Sequence, residues 1–388
     1  MADFKFTDLK KEYEDFDKPV VQIFINEQEI KQEETDLAVS EIEVELSSGF
    51  EAGIAIFRLV GAYVEDIRQF NVKKCKEVIC LGSTVHINMG YGISVRNVFR
   101  GFIARVHFIV PRSDSEDVPA IEITAMDAKA AMMANRRSRR LKAMYYSDAV
   151  REVLEANAFV AQKDSKSQSF TELVINDTPD KASGGGSTDN PKDIRVEMVE
   201  ESDYEFIVKA AKKFNFEFFI VGKNLYFVEA KKNKDILIEL DGYDGMFSLD
   251  VGYDMTGLVR KVSVRNVESD KGQYIGKDAK LNSKVSMGNK ATPLIEKQTL
   301  VYLDTTVATK EEAGYRAAYL KEMVDYRLGS IEMEMVGLPE LVPGRFIKLI
   351  NSGKPLNNSF YLTRVRHVID QDGYRTEFEG QANVIGGD

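Results

Sequence analysis

Several residue types are scarce or missing in this 388-residue chain, which contains no tryptophan, two cysteines and three histidines. Cys75 and Cys80 do not form a C-x-x-C pair, and the further ligands of a zinc site are missing nearby. Both are therefore expected to be free thiols in a reducing compartment. His86, His107 and His367 match no H-E-x-x-H or comparable spacing, so neither a metal site nor a cofactor is expected.

Long apolar runs are missing as well. No stretch of about 18 apolar residues occurs, so no membrane-spanning helix is expected and no membrane partner in the free state. The N-terminal sequence MADFKFTDLKKEYEDF lacks the apolar core of a signal peptide, which indicates folding in a cytoplasm. The net charge of −10 disfavours binding to nucleic acid or to anionic membranes, because both need a basic surface.

What the chain does contain is the alternation typical of strands. In Glu41–Leu46 (EIEVEL), Ile42, Val44 and Leu46 fall on one face and three glutamates on the other. Further strands in this part are predicted at Val20–Asn26, Ile54–Leu59, Thr84–Met89, Val98–Val110 and Ala120–Ala125. About six short strands in succession predict a compact β-barrel or sandwich.

The middle of the chain has the pattern of a small α+β region. Apolar stripes predict helices over 147–157 and 202–215. The second helix opens with a capping box formed by Ser202 and Glu205. The apolar segment 216–228 (FEFFIVGKNLYFV) then predicts a hairpin with its turn at Gly-Lys-Asn.

The last third is rich in strand patterns again. Thr309 and Glu312 form another capping box, which opens a helix to about Leu328. The polar segment Lys271–Ile295 is predicted to be a loop. Strands are predicted at Asp235–Leu240, Leu258–Val267, Ile331–Met335, Phe346–Ile350, Phe360–Val368 and Tyr374–Glu379.

Two segments stand out by composition. Lys163–Lys192 is polar, contains SGGGSTDNP and is predicted to be a flexible loop or linker. The basic run RRSRR comprises Arg136, Arg137, Arg139 and Arg140, which could contact an acidic neighbouring subunit or nucleic acid. A solvated loop or strand edge is the simpler interpretation, and the acidic chain as a whole disfavours nucleic acid. The four arginines are therefore the candidate protein-interface residues.

Motifs of catalysis are not found. The sequence contains no G-x-S-x-G, Walker A or G-x-G-x-x-G motif, so no catalytic or cofactor-binding residue is predicted. Its 62 acidic residues guarantee accidental carboxylate pairs, but nothing marks one as a glycosidase-type dyad.

One local pattern occurs twice. Asn97–Val106 (NVFRGFIARV) and Asn358–Val365 (NSFYLTRV) both lead from Asn-x-Phe into an apolar strand ending in Arg-Val. Each is followed by a histidine, His107 or His367, and then by an alternating strand with glutamate. The match needs a two-residue offset. If it reflects a duplication, the chain holds two copies of one barrel fold.

Four segments carry a resemblance to a known family: Asp36–Phe57, Gly82–Ala134, Ser202–Phe227 and Leu341–Phe378. Together they resemble the phage late control protein D family, which is related to the T4 baseplate hub and to the N-terminal part of the VgrG spike of type VI secretion. The resemblance covers nearly the whole chain.

The resemblance implies a mainly β fold with an α+β insert: two tube-like β-barrel domains plus a small α+β region. We expect the polar N-terminal arm, the first barrel, the α+β region with a flexible loop at about 163–192, and the second barrel with a helix at about 310–328. Their expected bounds are 1–17, 18–135, 136–234 and 235–388.

The resemblance also implies function. The expected protein is the non-enzymatic hub of a contractile phage tail, a tailocin or a phage-like injection particle. A homotrimer with two barrels per chain would match a six-fold inner tube on one side and a three-fold spike on the other. The implied partners are the inner tube protein, the spike protein and baseplate proteins, and the implied location is the virion or extracellular particle, after assembly in a bacterial cytoplasm.

The sequence departs from VgrG, which continues into an oligonucleotide-binding-fold domain and a β-helical needle, whereas this sequence stops at Asp388. A separate spike protein is therefore expected. Two alternatives remain: a tail-associated cell-wall hydrolase, which needs a buried carboxylate pair with shifted pKa values in a groove, and a receptor-binding module, which needs an exposed aromatic platform.

Overall fold

The structure is a computed structural model, and it describes residues 2–71, 73, 80–112, 117–134, 136–163, 169–179, 196–268, 273–280, 290–307 and 309–386. The strands are β1 (Phe4–Lys5), β2 (Pro19–Ile25), β3 (Gln28–Glu29), β4 (Ala38–Ser47), β5 (Ile54–Val60), β6 (Tyr63–Val64), β7 (Gln69–Phe70), β8 (Thr84–Tyr91), β9 (Ser94–Ile109), β10 (Ala120–Met126), β11 (Arg137–Arg140), β12 (Glu172–Ile175), β13 (Glu197–Glu201), β14 (Phe216–Val221), β15 (Asn224–Glu229), β16 (Ile236–Leu240), β17 (Met246–Tyr253), β18 (Lys261–Glu268), β19 (Gln273–Lys280), β20 (Thr299–Leu303), β21 (Gly329–Val336), β22 (Phe346–Leu349), β23 (Ser359–Asp370) and β24 (Gly373–Ala382). The α-helices are α1 (Phe6–Glu12), α2 (Gln32–Thr35), α3 (Ala128–Met133), α4 (Tyr146–Glu155), α5 (Asp203–Phe214), α6 (Ala291–Ile295) and α7 (Lys310–Asp325). Short 3-10 helices lie at Glu14–Phe16 and Glu65–Ile67.

The chain is mainly β with an α+β insertion, as predicted. Fourteen strands form one sheet, and its main path runs β1-β16-β22-β23-β4-β5-β10-β9-β8-β2-β3. Strand β24 lies between β23 and β21, and β17 pairs with the other edge of β21. The alternation predicted for β4 is confirmed, because Ile42, Val44 and Leu46 are buried and belong to the largest hydrophobic core.

This sheet consists of two halves with the same topology. The first half comprises β2, β4, β5, β8, β9 and β10, and the second comprises β16, β17, β21, β22, β23 and β24. If the strands of each half are numbered along the chain, both halves have the sheet order 1-4-5-6-3-2. Because six strands in each half are arranged in the same order in the sheet, the two halves indicate a duplicated fold.

The two halves differ at one pairing. The first strand of the first half, β2, runs antiparallel to β8, whereas its equivalent β16 runs parallel to β22. The outer edge of each of these strands is covered by a short strand, β3 on β2 and β1 on β16. Covering an edge removes a row of backbone groups that would otherwise pair with another chain.

The N-terminal segment, predicted to be a polar arm, packs into the protein. Phe6, Leu9 and Tyr13 are buried in the largest core. The Tyr13 hydroxyl donates a hydrogen bond of 2.5 Å to Glu340, and Arg96 contacts the same carboxylate at 2.5 Å. These contacts fasten the N-terminus to both halves of the sheet.

The insertion between the halves has a core of its own, built by α3, α4, α5 and the sheet β12-β15-β14. The predicted capping box is confirmed, since Ser202 accepts from the Glu205 backbone N–H at 3.0 Å and the Glu205 side chain accepts from Ser202. Part of the predicted flexible segment is strand β12, which pairs parallel to β15. Residues 164–168 and 180–195, with the Gly-rich stretch, lie outside the described residues, as does Cys75.

A smaller layer in the second half consists of the sheet β19-β18-β20 covered by α7. The prediction that Lys271–Ile295 is a loop is wrong for its described parts, which contain β19 and α6. Helix α7 begins after Thr309, as predicted, but ends at Asp325 rather than near Leu328. Leu328 instead packs beside the start of β21 in a separate small core.

Candidate functional site

The two halves meet edge to edge where β4 pairs antiparallel with β23. We call this pairing the internal seam and define it by Ile42–Ser47 on β4 and Arg364–Ile369 on β23. In its register, Val44 lies opposite His367 and Leu46 opposite Val365. The seam makes one continuous sheet of the two halves.

The core-facing side of the seam is fully covered. Val44, Val365 and His367 are each 0% exposed. The His367 Nε2 lies 3.2 Å from the Leu341 carbonyl, to which it can only donate, and Nδ1 lies 3.0 Å from the Tyr374 hydroxyl. Burial lowers the pKa of His367 to about 4, so the ring is neutral.

The other side of the seam carries ion pairs. Arg364 reaches Glu45 at 3.3 Å. Arg366 lies between Glu43 at 2.6 Å and Glu377 at 2.8 Å. The hydrogen bond to Glu43 is the main cause of a raised Arg366 pKa, which keeps this guanidinium charged. The glutamates predicted to face solvent or an interface thus pair with arginines across strands.

Matching β-bulges align the two halves residue by residue. The pairing of β9 with β10 is interrupted between Ile103 and Arg105, and that of β23 with β24 between Leu362 and Arg364. Superposing these bulges makes Arg105 equivalent to Arg364 and Phe108 equivalent to His367. Because a bulge shifts the alternation of side chains, its recurrence fixes the register.

Two glycines confirm this alignment. Gly82 and Gly344 have φ angles of 83° and 84°, a region that favours glycine. Their N–H groups donate to the carbonyls of Ile103 and Leu362, both at 2.9 Å. The glycines therefore turn the chain into β8 and β22 in the same way.

A third pair of bulges aligns β4 with β17. Ser40 interrupts the pairing of β4 with β5, and Phe247 interrupts that of β17 with β21. The alignment makes Val44 equivalent to Val251. Glu43 then corresponds to Asp250, so the position keeps its negative charge.

The alignment tests the repeated pattern found in the sequence. The Arg-Val part is confirmed, because Arg105 and Arg364 occupy equivalent positions after the bulges. The histidines are not equivalent, since His107 corresponds to Arg366. Asn97 and Asn358 do not coincide either, because Asn97 lies eight residues before Arg105 and Asn358 only six before Arg364. The glycines that open β8 and β22 were the missed signal.

The strands equivalent to the seam are left with open edges. We call Arg105–Val110, at the end of β9 and one residue beyond it, and Leu249–Asp254, at the end of β17 and one residue beyond it, the two open edges. Within the residues that the structure describes, no strand pairs with either edge beyond β10 and β21. Phe108 is 53% exposed even though the Phe70 ring lies 5.1 Å away. An exposed apolar edge is a template for pairing with another strand.

The structure places the four arginines of the basic run on and beside strand β11, against the insertion. Arg137 donates three hydrogen bonds to Asp203, of 2.7, 2.9 and 3.2 Å. Arg136 reaches Glu205 at 2.9 Å, and Arg140 lies 3.9 Å from Glu197. Arg139 is half-buried on the same strand, whereas Arg136 and Arg140 are exposed.

One cleft of about 480 Å³ contains the kind of carboxylates that the hydrolase alternative needs, Glu217 and Glu322. Glu217 accepts from the Tyr361 hydroxyl at 2.5 Å and pairs with Lys231 at 3.3 Å. Glu322 accepts from Asn215 at 2.9 Å, and burial raises its pKa. Both carboxyls are thus engaged by donors of the insertion and of β23, which joins the insertion to the second half.

Two further features concern the described residues only. They contain no group of three or more His, Cys, Asp or Glu side chains placed to hold a metal ion. No helix among them has the length and the apolar character that a membrane span requires.

No protein-family model matches the chain, and no curated protein matches it by sequence. Among solved structures, it is similar to the 43 kDa tail protein of prophage MuSo2 from Shewanella oneidensis, with 12% identity, a TM-score of 0.64, and coverage of 94% of this chain and 98% of the other. A tail protein from Neisseria meningitidis MC58 has 11% identity, a TM-score of 0.62, and coverage of 94% and 97%.

A type VI secretion component from E. coli is also similar, with 11% identity, a TM-score of 0.53, and coverage of 91% of this chain and 74% of the other. That protein is described as structurally similar to the T4 tail proteins gp27 and gp5. The chain therefore has the fold of phage tail proteins. More narrowly, it is the fold shared by prophage tail proteins and VgrG-like components of type VI secretion.

Proposed function

We propose that this chain is the structural hub of a contractile phage tail, a tailocin or a phage-like injection particle. The observation that carries the proposal is the internal duplication, with one edge pairing completed inside the chain and its two equivalents left open. The similarity to tail proteins along nearly the full length supports it.

The duplication fits a symmetry adaptor. Three copies with two equivalent halves each would present six similar units to a six-fold inner tube. The halves are not identical, since β2 and β16 pair in opposite directions, so a three-fold spike could be distinguished on another face. In such a trimer, the first half of one copy would contact the second half of the next, and three head-to-tail contacts of this type would close a ring.

The proposed partners are the chain itself as a homotrimer, the inner tube protein, the spike protein and baseplate proteins. Residues 18–135 and 235–388 would form the two tube-like domains, with 1–17 as the N-terminal segment and 136–234 as the region between them. Arg136, Arg137, Arg139 and Arg140 remain candidates for contacts with neighbouring proteins. Since Arg137 is held by Asp203, the exposed Arg136 and Arg140 are the better candidates.

No catalytic role is proposed. The cleft with Glu217 and Glu322 has a structural explanation, because its hydrogen bonds connect the insertion to β23 and α7. The exposed aromatic residues Phe108 and Phe247 lie on strands β9 and β17 rather than on a separate platform for a receptor. Assembly in a bacterial cytoplasm and incorporation into the particle complete the proposal.

The test is the mass of the purified native protein, measured by light scattering over a range of concentrations. A value near three times the chain mass of 43.7 kDa is expected. The same measurement with the inner tube protein added should show a larger complex. A protein that stays monomeric alone and in the presence of tube and spike proteins would overturn the proposal.

A further inference from the structure

We propose that the open edge of β17 in one copy pairs antiparallel with the open edge of β9 in the next copy, in the register of the internal seam. This inference rests on the proposed trimer and names the strands and residues that would form its interface. The recognised partner is a second copy of this chain.

The register follows from the alignment of the halves. At the seam, His367 lies opposite Val44, so their equivalents Phe108 and Val251 should lie opposite each other between copies. By the same shift, Arg105 should lie opposite Asp254 of the neighbour, as Arg364 lies opposite Ser47. Between copies, the Arg105 guanidinium would face the Asp254 carboxylate, whereas at the seam Arg364 faces the neutral Ser47.

Burial argues that these edges are incomplete in the single chain. At the seam, Val44 and His367 are 0% exposed, whereas Phe108 is 53% exposed and Val110 is 56% exposed. Val251 is only partly buried against the same core that fully buries Val44. Equivalent positions of a duplicated fold should be buried to the same extent. Pairing the open edges of two copies would bury Phe108, Val110 and Val251 further.

The polar partners recur on the other face. Across the seam, Arg366 pairs with Glu43 at 2.6 Å, and the equivalent residues on the open edges are His107 and Asp250. A side chain with nitrogen donors stays on the strand equivalent to β23, and a carboxylate stays on the strand equivalent to β4. Such a donor and acceptor across antiparallel strands favour this register over a shifted one.

The remaining edges argue for this pair of strands. The equivalent outer strands β2 and β16 are covered by β3 and β1 inside the chain. Since β9 and β17 lie in different halves, each copy offers one edge of each kind, and a head-to-tail contact can repeat until the ring closes.

Disulfide trapping tests the register. In full-length protein with Cys75→Ser and Cys80→Ser, the pair Phe108→Cys and Val251→Cys places two thiols opposite each other between copies. Directly opposed residues of antiparallel strands have Cβ atoms about 5 Å apart, close to disulfide geometry. Under mild oxidation, most of the protein should run as a covalent trimer on a non-reducing gel, and each single-cysteine variant should stay monomeric on the gel.

The matched control joins Val251→Cys to Ile93→Cys, because Ile93 is 99% exposed at the turn between β8 and β9 and lies outside the open edge. A protein of trimeric mass that forms no disulfide, or forms as much with the control pair, would overturn the edge pairing and leave the trimer standing. A protein of monomeric mass that forms no disulfide, even with tube and spike proteins, would overturn both.

Discussion

The internal seam and the two open edges are built from equivalent strands, but only the seam is covered. At the seam, β4 and β23 bury Val44 and His367 completely, while Phe108 on the equivalent strand is half exposed. The same bulges and the same turn glycines precede both arrangements. The fold therefore contains the strands for two edge pairings of the same kind. The seam is the one that forms within the described part of the chain.

The side chains at equivalent positions of the seam and the open edge differ in polarity. The seam can use a buried histidine at position 367, because Leu341 and Tyr374 supply fixed hydrogen-bond partners. The equivalent Phe108 needs no such partner and tolerates exposure to water in the free chain. Both positions therefore carry an aromatic ring, whereas the buried polar network is specific to the seam.

The largest expected effect comes from placing the same charge at the two equivalent positions. Val44→Asp puts an unpaired carboxylate into the core and should cost about 4 kcal/mol or more of the free energy of unfolding. Val251→Asp lies on the open edge and should cost less than about 1 kcal/mol, while it removes the trimer. Denaturant unfolding and light scattering measure the two effects.

Val251→Thr keeps the β-branched shape and serves as the control at the open edge. The comparison between seam and open edges would be broken if Val251→Asp unfolded the chain as strongly as Val44→Asp. It would also be broken if Val251→Asp left the trimer intact at every concentration.

The sequence predicted those parts of the fold that local pattern determines. Strict alternation identified β4, and the Ser202–Glu205 capping box identified the start of α5. The repeated Arg-Val pattern indicated the duplication, since Arg105 and Arg364 follow equivalent bulges. In each case neighbouring residues alone carry the signal.

The rest depended on contacts between distant residues. Strand β17 was not predicted, although Leu249, Val251 and Tyr253 alternate with Asp250 and Gly252. A bulge at Phe247 interrupts the pattern, and none of the side chains of β17 is fully buried. The burial of Tyr13 depends on Glu340, which lies 327 residues away. Edge pairing of β4 with β23 has no local signature, so the seam and the open edges could be located only in three dimensions.

A second, smaller effect concerns pH and sharpens the contrast between His367 and Phe108. The pKa of buried His367 falls from 6.5 to about 4 in the folded protein. The unfolded chain therefore takes up a proton below about pH 6.5, and the folded chain does not until about pH 4. Wild-type stability should fall across this window by on the order of 3 kcal/mol from this residue.

His367→Phe copies the first half and removes this dependence. At pH 7 the variant should lose about 2 kcal/mol, because the Leu341 carbonyl and the Tyr374 hydroxyl lose their partner. The gap should close as the pH falls and should reverse by about 1 kcal/mol near pH 4, because the wild type loses about 3 kcal/mol across this window and the variant does not. His86, whose pKa is also lowered to about 4 by burial, is common to both proteins and cancels in the difference. A gap that stays constant from pH 7 to pH 4 would refute a neutral, buried His367.

The smallest expected effect comes from the charged face. Arg366→Gln removes the contacts to Glu43 and Glu377, but its side chain is 36% exposed and water screens both pairs. The cost should be about 1 kcal/mol and should shrink as salt is added.

The equivalent change His107→Gln should leave the stability of a monomeric Val251→Asp protein unchanged within about 0.5 kcal/mol, because no strand of the described residues lies beside His107 on the side away from β10. In the otherwise wild-type protein it should raise the concentration at which the trimer dissociates, since Asp250 of the neighbour would lose the His107 imidazole as its partner. Equal effects of His107→Gln on stability and on assembly would mean that β9 already has a partner inside its own chain. The edge of β9 would then be paired within the chain. Its strands would share the sheet order of the seam, but they would not form the same pairing between copies.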